Sequence, residues 1–155
     1  MTYFTTFSPP IGDVLLIMED TTLIGLYFDV YEKKPKIQPS WIRDDSRFTD
    51  VKKELLEYLE GKRKGFTIPI TQHGTPFQES VWKQVAKIPY GKKATYKTIA
   101  EAIGKPKAVR AVGTAIGSNP VCIIGPCHRV VPTGGGLGGY AGGIDAKTFL
   151  LNLES

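Results

Sequence analysis

Apolar positions fall in three short bursts at the start of the chain. Residues 3–7, 13–18 and 22–29 each have the length and make-up of a strand. Val14 to Met18 is a continuous apolar run, and Glu19-Asp20-Thr21-Thr22 is a polar turn before Leu23 to Phe28. A hairpin or meander is therefore predicted. Residues 31–41 read as a loop, where Lys33, Lys34 and Lys36 suit a solvated surface or a phosphate patch. From Arg47 to Gly61 the period lengthens: Phe48, Val51, Leu55, Tyr58 and Leu59 share one helical face, and Gly61 supplies a stop. A further strand is predicted over Phe66–Ile70. The polar segment Thr71-Gln72-His73-Gly74-Thr75-Pro76 is the natural boundary, with His73 a surface histidine.

Beyond that boundary the pattern is helical. Thr75 with Pro76 at the first helical position starts a helix through about Lys87, whose apolar face is Phe77, Val81, Trp82, Val85 and Ala86. Tyr96–Ile103, a break at Gly104-Lys105-Pro106 and a small-residue helix over Lys107–Gly117 have the spacing of a helix-turn-helix. Taken alone, the same pattern fits an αα-hairpin of a core. Thr133–Gly143 is too glycine-rich for a core element and lacks the residues of a phosphate-binding loop; it reads as a flexible hairpin, or as the wing of a winged helix. Asp145 is expected to cap a last helix that turns Phe149, Leu150 and Leu153 inward. Glu154, near the end, reads by position as a solvated charge.

Composition narrows the partners. The 155 residues suffice for one domain or two small packed halves, and 41% hydrophobic with 23% charged residues is ordinary for a globular protein. A net charge of +5, with Lys92, Lys93, Lys97, Lys105, Lys107 and Arg110 gathered about the paired helices, favours an anionic partner such as nucleic acid. Two cysteines and two histidines assemble no zinc site at familiar spacing, so no metal is expected. The N-terminus lacks the features of a signal peptide and no apolar run approaches a membrane span, so an intracellular, cytoplasmic location is the expectation.

The chemistry gathers at Gly125-Pro126-Cys127-His128-Arg129-Val130. A cysteine followed by a histidine invites a nucleophile reading, although most free cysteines are small buried hydrophobes. A free thiol with a pKa of about 8.5 is only about 3% thiolate at neutral pH, so Cys127 needs activation if it reacts. Asn119-Pro120-Val121-Cys122-Ile123-Ile124, ahead of it, reads as an asparagine turn and a short buried strand.

Residues from about Phe77 to Glu154 resemble the O6-alkylguanine-DNA alkyltransferases. The likeness rests on Pro126-Cys127-His128-Arg129-Val130, on Asn119-Pro120 ahead of it, on Arg110-Ala111-Val112-Gly113 before that, and on Gly138-Gly139-Tyr140 with Gly142-Gly143 after. It implies an α+β protein: an N-terminal strand-rich, ribonuclease-H-like α/β half (1–71) packed on a winged helix-turn-helix half (72–155). It implies direct-reversal repair, with irreversible single-turnover transfer of the alkyl group from O6-alkylguanine, and less firmly O4-alkylthymine, to Cys127. His128 would relay the thiol proton through a water, Glu154 would orient His128, and Tyr96 would donate a hydrogen bond to the departing guanine. Asn119 would brace the turn. Arg110 would fill the gap left by a flipped nucleotide, with Lys107, Ala108, Ala111, Gly113 and Arg129 at the DNA. Tyr140, Val130, Gly138, Gly139 and Ala141 would wall the base. The implied partner is double-stranded DNA containing O6-alkylguanine, met by a monomer able to cluster along the duplex, without cofactor or metal.

Two positions depart from the family pattern. Cys122 stands where some members carry proline and Gly125 where a branched apolar residue is common, and both abut the pocket. Cys122 reads as a packing residue; a link to Cys127 would need unusual geometry. Three other readings make different demands. A lesion-binding protein without transfer carries tryptophan at the acceptor position among such relatives. A winged-helix transcription regulator would carry base-reading side chains on its second helix. A Cys-His hydrolase would turn over.

Overall fold

The apolar runs and the polar turn at the start of the chain become an antiparallel meander in the computed structural model, which describes residues 1–155. Strands β1 (Thr2–Phe7), β2 (Val14–Glu19) and β3 (Thr22–Phe28) pair in sequence, and β4 (Ile42–Arg43) joins the free side of β1 in parallel. Asp20 makes the β2–β3 turn with a φ of 52°, a left-handed conformation that aspartate tolerates better than most residues. A 3-10 turn at Asp45–Phe48 leads into α1 (Thr49–Leu59), which lays Val51, Leu55, Tyr58 and Leu59 on the sheet residues Leu16, Leu23, Leu26 and Phe28. Each fully buried side chain of this kind contributes roughly 1.5–3 kcal/mol.

The strand expected over Phe66–Ile70 does not form. Ile70 alone bridges Leu23 on β3. Pro69 has no N–H for a ladder; its carbonyl instead accepts from Leu23 at 2.9 Å. Residues 119–124 do not form a strand either: Val121 makes one bridge to Leu26, and the chain then turns.

The second half is helical. α2 (Pro76–Val85) begins in a capping box, with Thr75 and Gln78 satisfying each other's backbone N–H groups. β5 (Ala94–Thr95) leads directly into α3 (Tyr96–Ala102), and α4 (Val109–Gly117) follows. α4 starts two residues later than its pattern suggests, because the Ala108 N–H closes a turn on the Lys105 carbonyl at 2.9 Å. α2, α3 and α4 enclose Val81, Trp82, Val85, Ile99, Val112 and Ile116, and Trp82 Nε1 donates to the Ala115 carbonyl at 2.8 Å.

Two expectations about the end of the chain are corrected. The glycine-rich segment forms no wing hairpin. β6 (Val130–Val131) pairs in parallel with β5, and Gly135, Gly136, Gly138 and Gly143 all take positive φ, which strand pairing does not accommodate. In α5 (Ile144–Glu154) the N-cap is Gly143 rather than Asp145, whose carboxylate lies in the first turn, and Phe149 faces solvent.

Two large cores meet at one seam, and a small third cluster of Phe4, Leu15 and Ile17 lies elsewhere on the sheet. Val121, Cys122 and Ile123 belong to the sheet-side core, as do Ala146 and Leu150 of α5. Cys127 and Val130 belong to the helical core. The chain from Asn119 to Val130 therefore crosses from one core to the other, and Cys127 lies at the crossing.

Candidate active site

The crossing is built by hydrogen bonds to a single side chain. Asn119 Oδ1 accepts the Val121 N–H at 3.0 Å, and Nδ2 donates to the carbonyls of Val121 at 3.1 Å and Gly125 at 2.9 Å. These three bonds tie residues 119–125 into one turn. The segment is also clamped to β3: Leu26 donates to the Pro120 carbonyl at 2.9 Å and receives the Cys122 N–H at 3.0 Å. Between these restraints Ile123 is held at a φ of 71°, a strained state for a β-branched residue that costs about 1–3 kcal/mol. The strain sits in the turn that delivers Cys127.

Cys127 opens a 3-10 turn, Cys127–Arg129, in which all three side chains are buried. His128 Nε2 meets Glu154 Oε2 at 2.8 Å. Arg129 clasps the same carboxylate, Nε to Oε1 at 2.7 Å and Nη2 to Oε2 at 3.0 Å, while Nη1 donates to the Ile88 carbonyl at 2.8 Å. The Tyr58 hydroxyl of α1 donates to Glu154 as well. Burial pushes the Glu154 carboxyl up to about 7. The bidentate guanidinium opposes that, and with three donors converging we assign it as a carboxylate at neutral pH. It then accepts a hydrogen bond from Nε2–H, which fixes the tautomer of His128 and leaves Nδ1 as a proton acceptor with no partner in the protein.

Burial drives the acid–base pair toward neutrality. It raises the Cys127 thiol well above its ordinary value, the charge of Cys122 adding to the effect; a hydrogen bond from Asn119 and the charge of Lys147 pull it back. It lowers His128 to about 3, with Arg129 and Lys147 repelling the added proton. The resting state is a thiol and a neutral imidazole. Burial raises Tyr96, as does the neighbouring Cys127, so its hydroxyl stays a donor.

A cleft of about 560 Å³ stands over the thiol. Cys127, Tyr96, Asn119, Tyr140, Gly139 and Ala141 line it, joined by Gly113 and Thr114 from α4 and by Val30 to Lys33 from the N-terminal half. Tyr140 packs edge-on to Phe28, with centroids 5.7 Å apart, and to His128 at 6.3 Å. A Cβ on Gly138 would lie 2.8 Å from the Tyr96 hydroxyl, so this glycine keeps Tyr96 free. Lys107, Arg110 and Ala111 are exposed and Ala108 half-exposed on the adjoining face, and Arg110 makes no ion pair.

Two expected residues lie elsewhere. Arg129, expected at the DNA, is buried and committed to Glu154, because leaving that carboxylate unpaired would be costly. Val130, expected in the pocket wall, turns into the helical core. Conversely, Lys147 carries no mark of function by type. It is fully buried, donates from Nζ to the carbonyls of Val130 at 2.7 Å and Gly139 at 3.2 Å, and is lowered to about 8 by burial, the charge of Cys127 opposing this. Its position was readable, since Lys147, Leu150, Leu151 and Glu154 share the inner stripe of α5. Tyr58 and Gln72 reach the site across the fold, and no local pattern marks them.

A pH prediction follows from His128. Its native pKa, about 3, lies below the ordinary 6.5, so between these values the unfolded chain binds a proton that the native state does not. The corresponding stability is full above pH 6.5 and is lost as pH falls toward 3, with a slope of up to about 1.4 kcal/mol per pH unit. Urea unfolding at pH 7, 5.5 and 4.5 should show this slope, and His128→Gln should show less of it.

This chain matches two family models, the 6-O-methylguanine DNA methyltransferase ribonuclease-like domain over residues 2–72 and the DNA binding domain of the same methyltransferase over residues 76–155. It is 43% identical to the methylated-DNA–protein-cysteine methyltransferase of Methanosarcina acetivorans, covering 98% of this chain and 97% of that protein. It is 40% identical to the constitutive methylated-DNA–protein-cysteine methyltransferase of Bacillus subtilis, over 99% and 96%. Its fold matches Mycobacterium tuberculosis OGT solved in complex with DNA with a TM-score of 0.93 at 39% identity, over 98% of this chain and 92% of that one. The strand-rich half and the helical half of this α+β chain correspond to the ribonuclease-like and DNA binding models respectively. The chain belongs to the methylated-DNA–protein-cysteine methyltransferase family.

Proposed function

We propose that this methyltransferase repairs O6-alkylguanine in double-stranded DNA by taking the alkyl group onto Cys127, once per molecule. One observation carries the reading: the Cys127 thiol lines a cleft of about 560 Å³ and shares its turn with a His128 whose tautomer Glu154 fixes and whose Nδ1 has no partner in the protein. The thiol proton passes through a water to Nδ1. Sulfur attacks the alkyl carbon from the side opposite O6, the S–C bond forms, and the C–O6 electron pair leaves with the guanine. Tyr96 donates a hydrogen bond to the ring as charge builds there, and the Lys147 ammonium stabilises the thiolate in a low-dielectric wall. The proton lost by the thiol balances the one guanine regains, so the step needs no cofactor. The product is a thioether, and no group in the cleft is suited to cleave it.

The N-terminal half, residues 1–71, supplies the cleft mouth and Tyr58; residues 72–155 hold the acceptor and the DNA face. The lesion is flipped from the stack through the minor groove at a cost of a few kcal/mol, and Arg110 fills its place. Arg110→Ala should therefore slow transfer from duplex DNA by about 10–100-fold while leaving transfer from the free O6-methylguanine base unchanged. Stability should stay within about 0.5 kcal/mol, because the side chain is exposed and unpaired. No helix is long and apolar enough to cross a membrane.

Nucleoside analysis of an O6-methylguanine duplex after incubation with the protein tests the proposal. Loss of O6-methylguanine matched by gain of guanine, ending at one per protein, is expected. Tight binding with the lesion intact would indicate recognition without transfer, and continued turnover would indicate a hydrolase.

A further inference from the structure

The Asn119 amide has one workable orientation. Its oxygen faces the Val121 N–H and its nitrogen faces the carbonyls of Val121 and Gly125. Turning it over would set an oxygen against two carbonyls and an NH₂ against an N–H. The remaining lone pair of Oδ1 takes a fourth bond, from Gln72 Nε2 at 2.7 Å. Gln72 comes from the linker between the two halves, a site to which no chemistry was expected to fall. The residue before it is fixed to the sheet, Thr71 donating to the Leu23 carbonyl at 3.0 Å.

Gln72 fits only because residue 125 has no side chain. A Cβ on Gly125 would lie 2.5 Å from Gln72 Nε2 and 2.8 Å from the Val121 carbonyl oxygen. This gives the departure at Gly125 a structural partner: the space a branched side chain would fill is taken by an amide that donates to Asn119. The Gly125 carbonyl that Asn119 Nδ2 holds at 2.9 Å also accepts the Cys127 N–H at 2.8 Å, so the amide acts directly on the turn that carries the thiol.

We propose that Gln72 is a positioning residue for alkyl transfer, locking the Asn119 amide so that its NH₂ faces the turn that carries Cys127. The proposal rests on Cys127 as the acceptor. It links the sheet of the N-terminal half to the reacting thiol through Leu23, Thr71, Gln72 and Asn119.

The test uses two variants of the full chain and the saturating first-order rate of transfer from an O6-methylguanine duplex, measured from pH 5 to 8. Gln72→Glu keeps the shape, and the facing Asn119 Oδ1 disfavours its ionised form and raises its carboxyl above the ordinary value of about 4.3, so it presents an oxygen when ionised at pH 8 and a donor when protonated near pH 5. Its rate should be about tenfold below wild type at pH 8 and should approach wild type at pH 5. Gln72→Leu removes the donor outright and should show a deficit of about tenfold at both pH values. Neither should alter the affinity for the duplex, because Gln72 lies behind the turn rather than on the α4 face. Wild-type rates from either variant, or a Gln72→Glu deficit equal at pH 5 and pH 8, would overturn the proposal. Failure of the wild-type protein itself to become alkylated at Cys127 would instead remove the reading on which it rests, and the two failures are distinguishable in one experiment.

Discussion

Cys127→Ala should bind an O6-methylguanine duplex as tightly as the wild type and transfer nothing. The sulfur sits in the same turn as the free His128 nitrogen, and Cys122, although it also lines the cleft, cannot replace it. Cys122 lies in the sheet-side core, and burial pushes its thiol up to about 12. No activated base stands beside it, since the free nitrogen of His128 follows directly on Cys127 in the turn. The backbone bond from the Cys127 N–H to the Gly125 carbonyl, at 2.8 Å, survives the substitution. Losing one buried sulfur should lower stability by about 1 kcal/mol. Filter binding and nucleoside analysis on one preparation separate the two functions. Transfer by this variant would place the acceptor elsewhere.

Glu154→Ala should be the most damaging single change to the fold. The carboxylate accepts from Arg129, His128 and Tyr58, and all four groups are buried. Removing it strands a guanidinium, a phenol and a ring N–H, a loss of about 3–5 kcal/mol. For a chain of this size that corresponds to a fall in Tm of roughly 10–15 °C. The chemistry should suffer separately, because His128 loses the group that keeps its proton on Nε2. Transfer should slow by about 10²–10⁴-fold at a temperature where the variant remains folded. Glu154→Gln separates the terms: it preserves the volume and one acceptor for Arg129, so Tm should recover in part while the rate stays low. Scanning calorimetry beside single-turnover kinetics measures both. A Glu154→Gln variant with full activity would show that the carboxylate serves the fold alone.

What was legible in the sequence follows the range of the forces involved. The meander, α1, α2 and the paired helices announce themselves because their apolar spacing is local, and Thr75-Pro76 writes its own cap. The proposed nucleophile and its base stand out in the sequence because they adjoin in the chain. Arg129 misleads for the same reason: next to Cys-His and in a basic chain it looks like a DNA contact, and only the return of α5 brings Glu154 to claim it. The absent wing is a conformational matter, since glycines suggest a turn without saying whether strands flank it. Phe66–Ile70 has strand composition but meets the sheet at one residue, with Pro69 limiting the ladder. Tyr58 and Gln72 lie 96 and 47 residues from their partners, so only the packed fold shows them as part of the site. The N-terminal half is thus more than a scaffold: it provides a hydroxyl for Glu154 and part of the cleft mouth.

The central claim is that Cys127 is consumed by the repair it performs. Intact-protein mass spectrometry after titration with an O6-methylguanine duplex tests it most directly. The account predicts a single gain of about 14 Da, the mass of one methyl group replacing one hydrogen, mapped by digestion to Cys127 and ending at one equivalent however much substrate is added. An unchanged mass while the DNA is repaired, or a methyl group on any other residue, would contradict it.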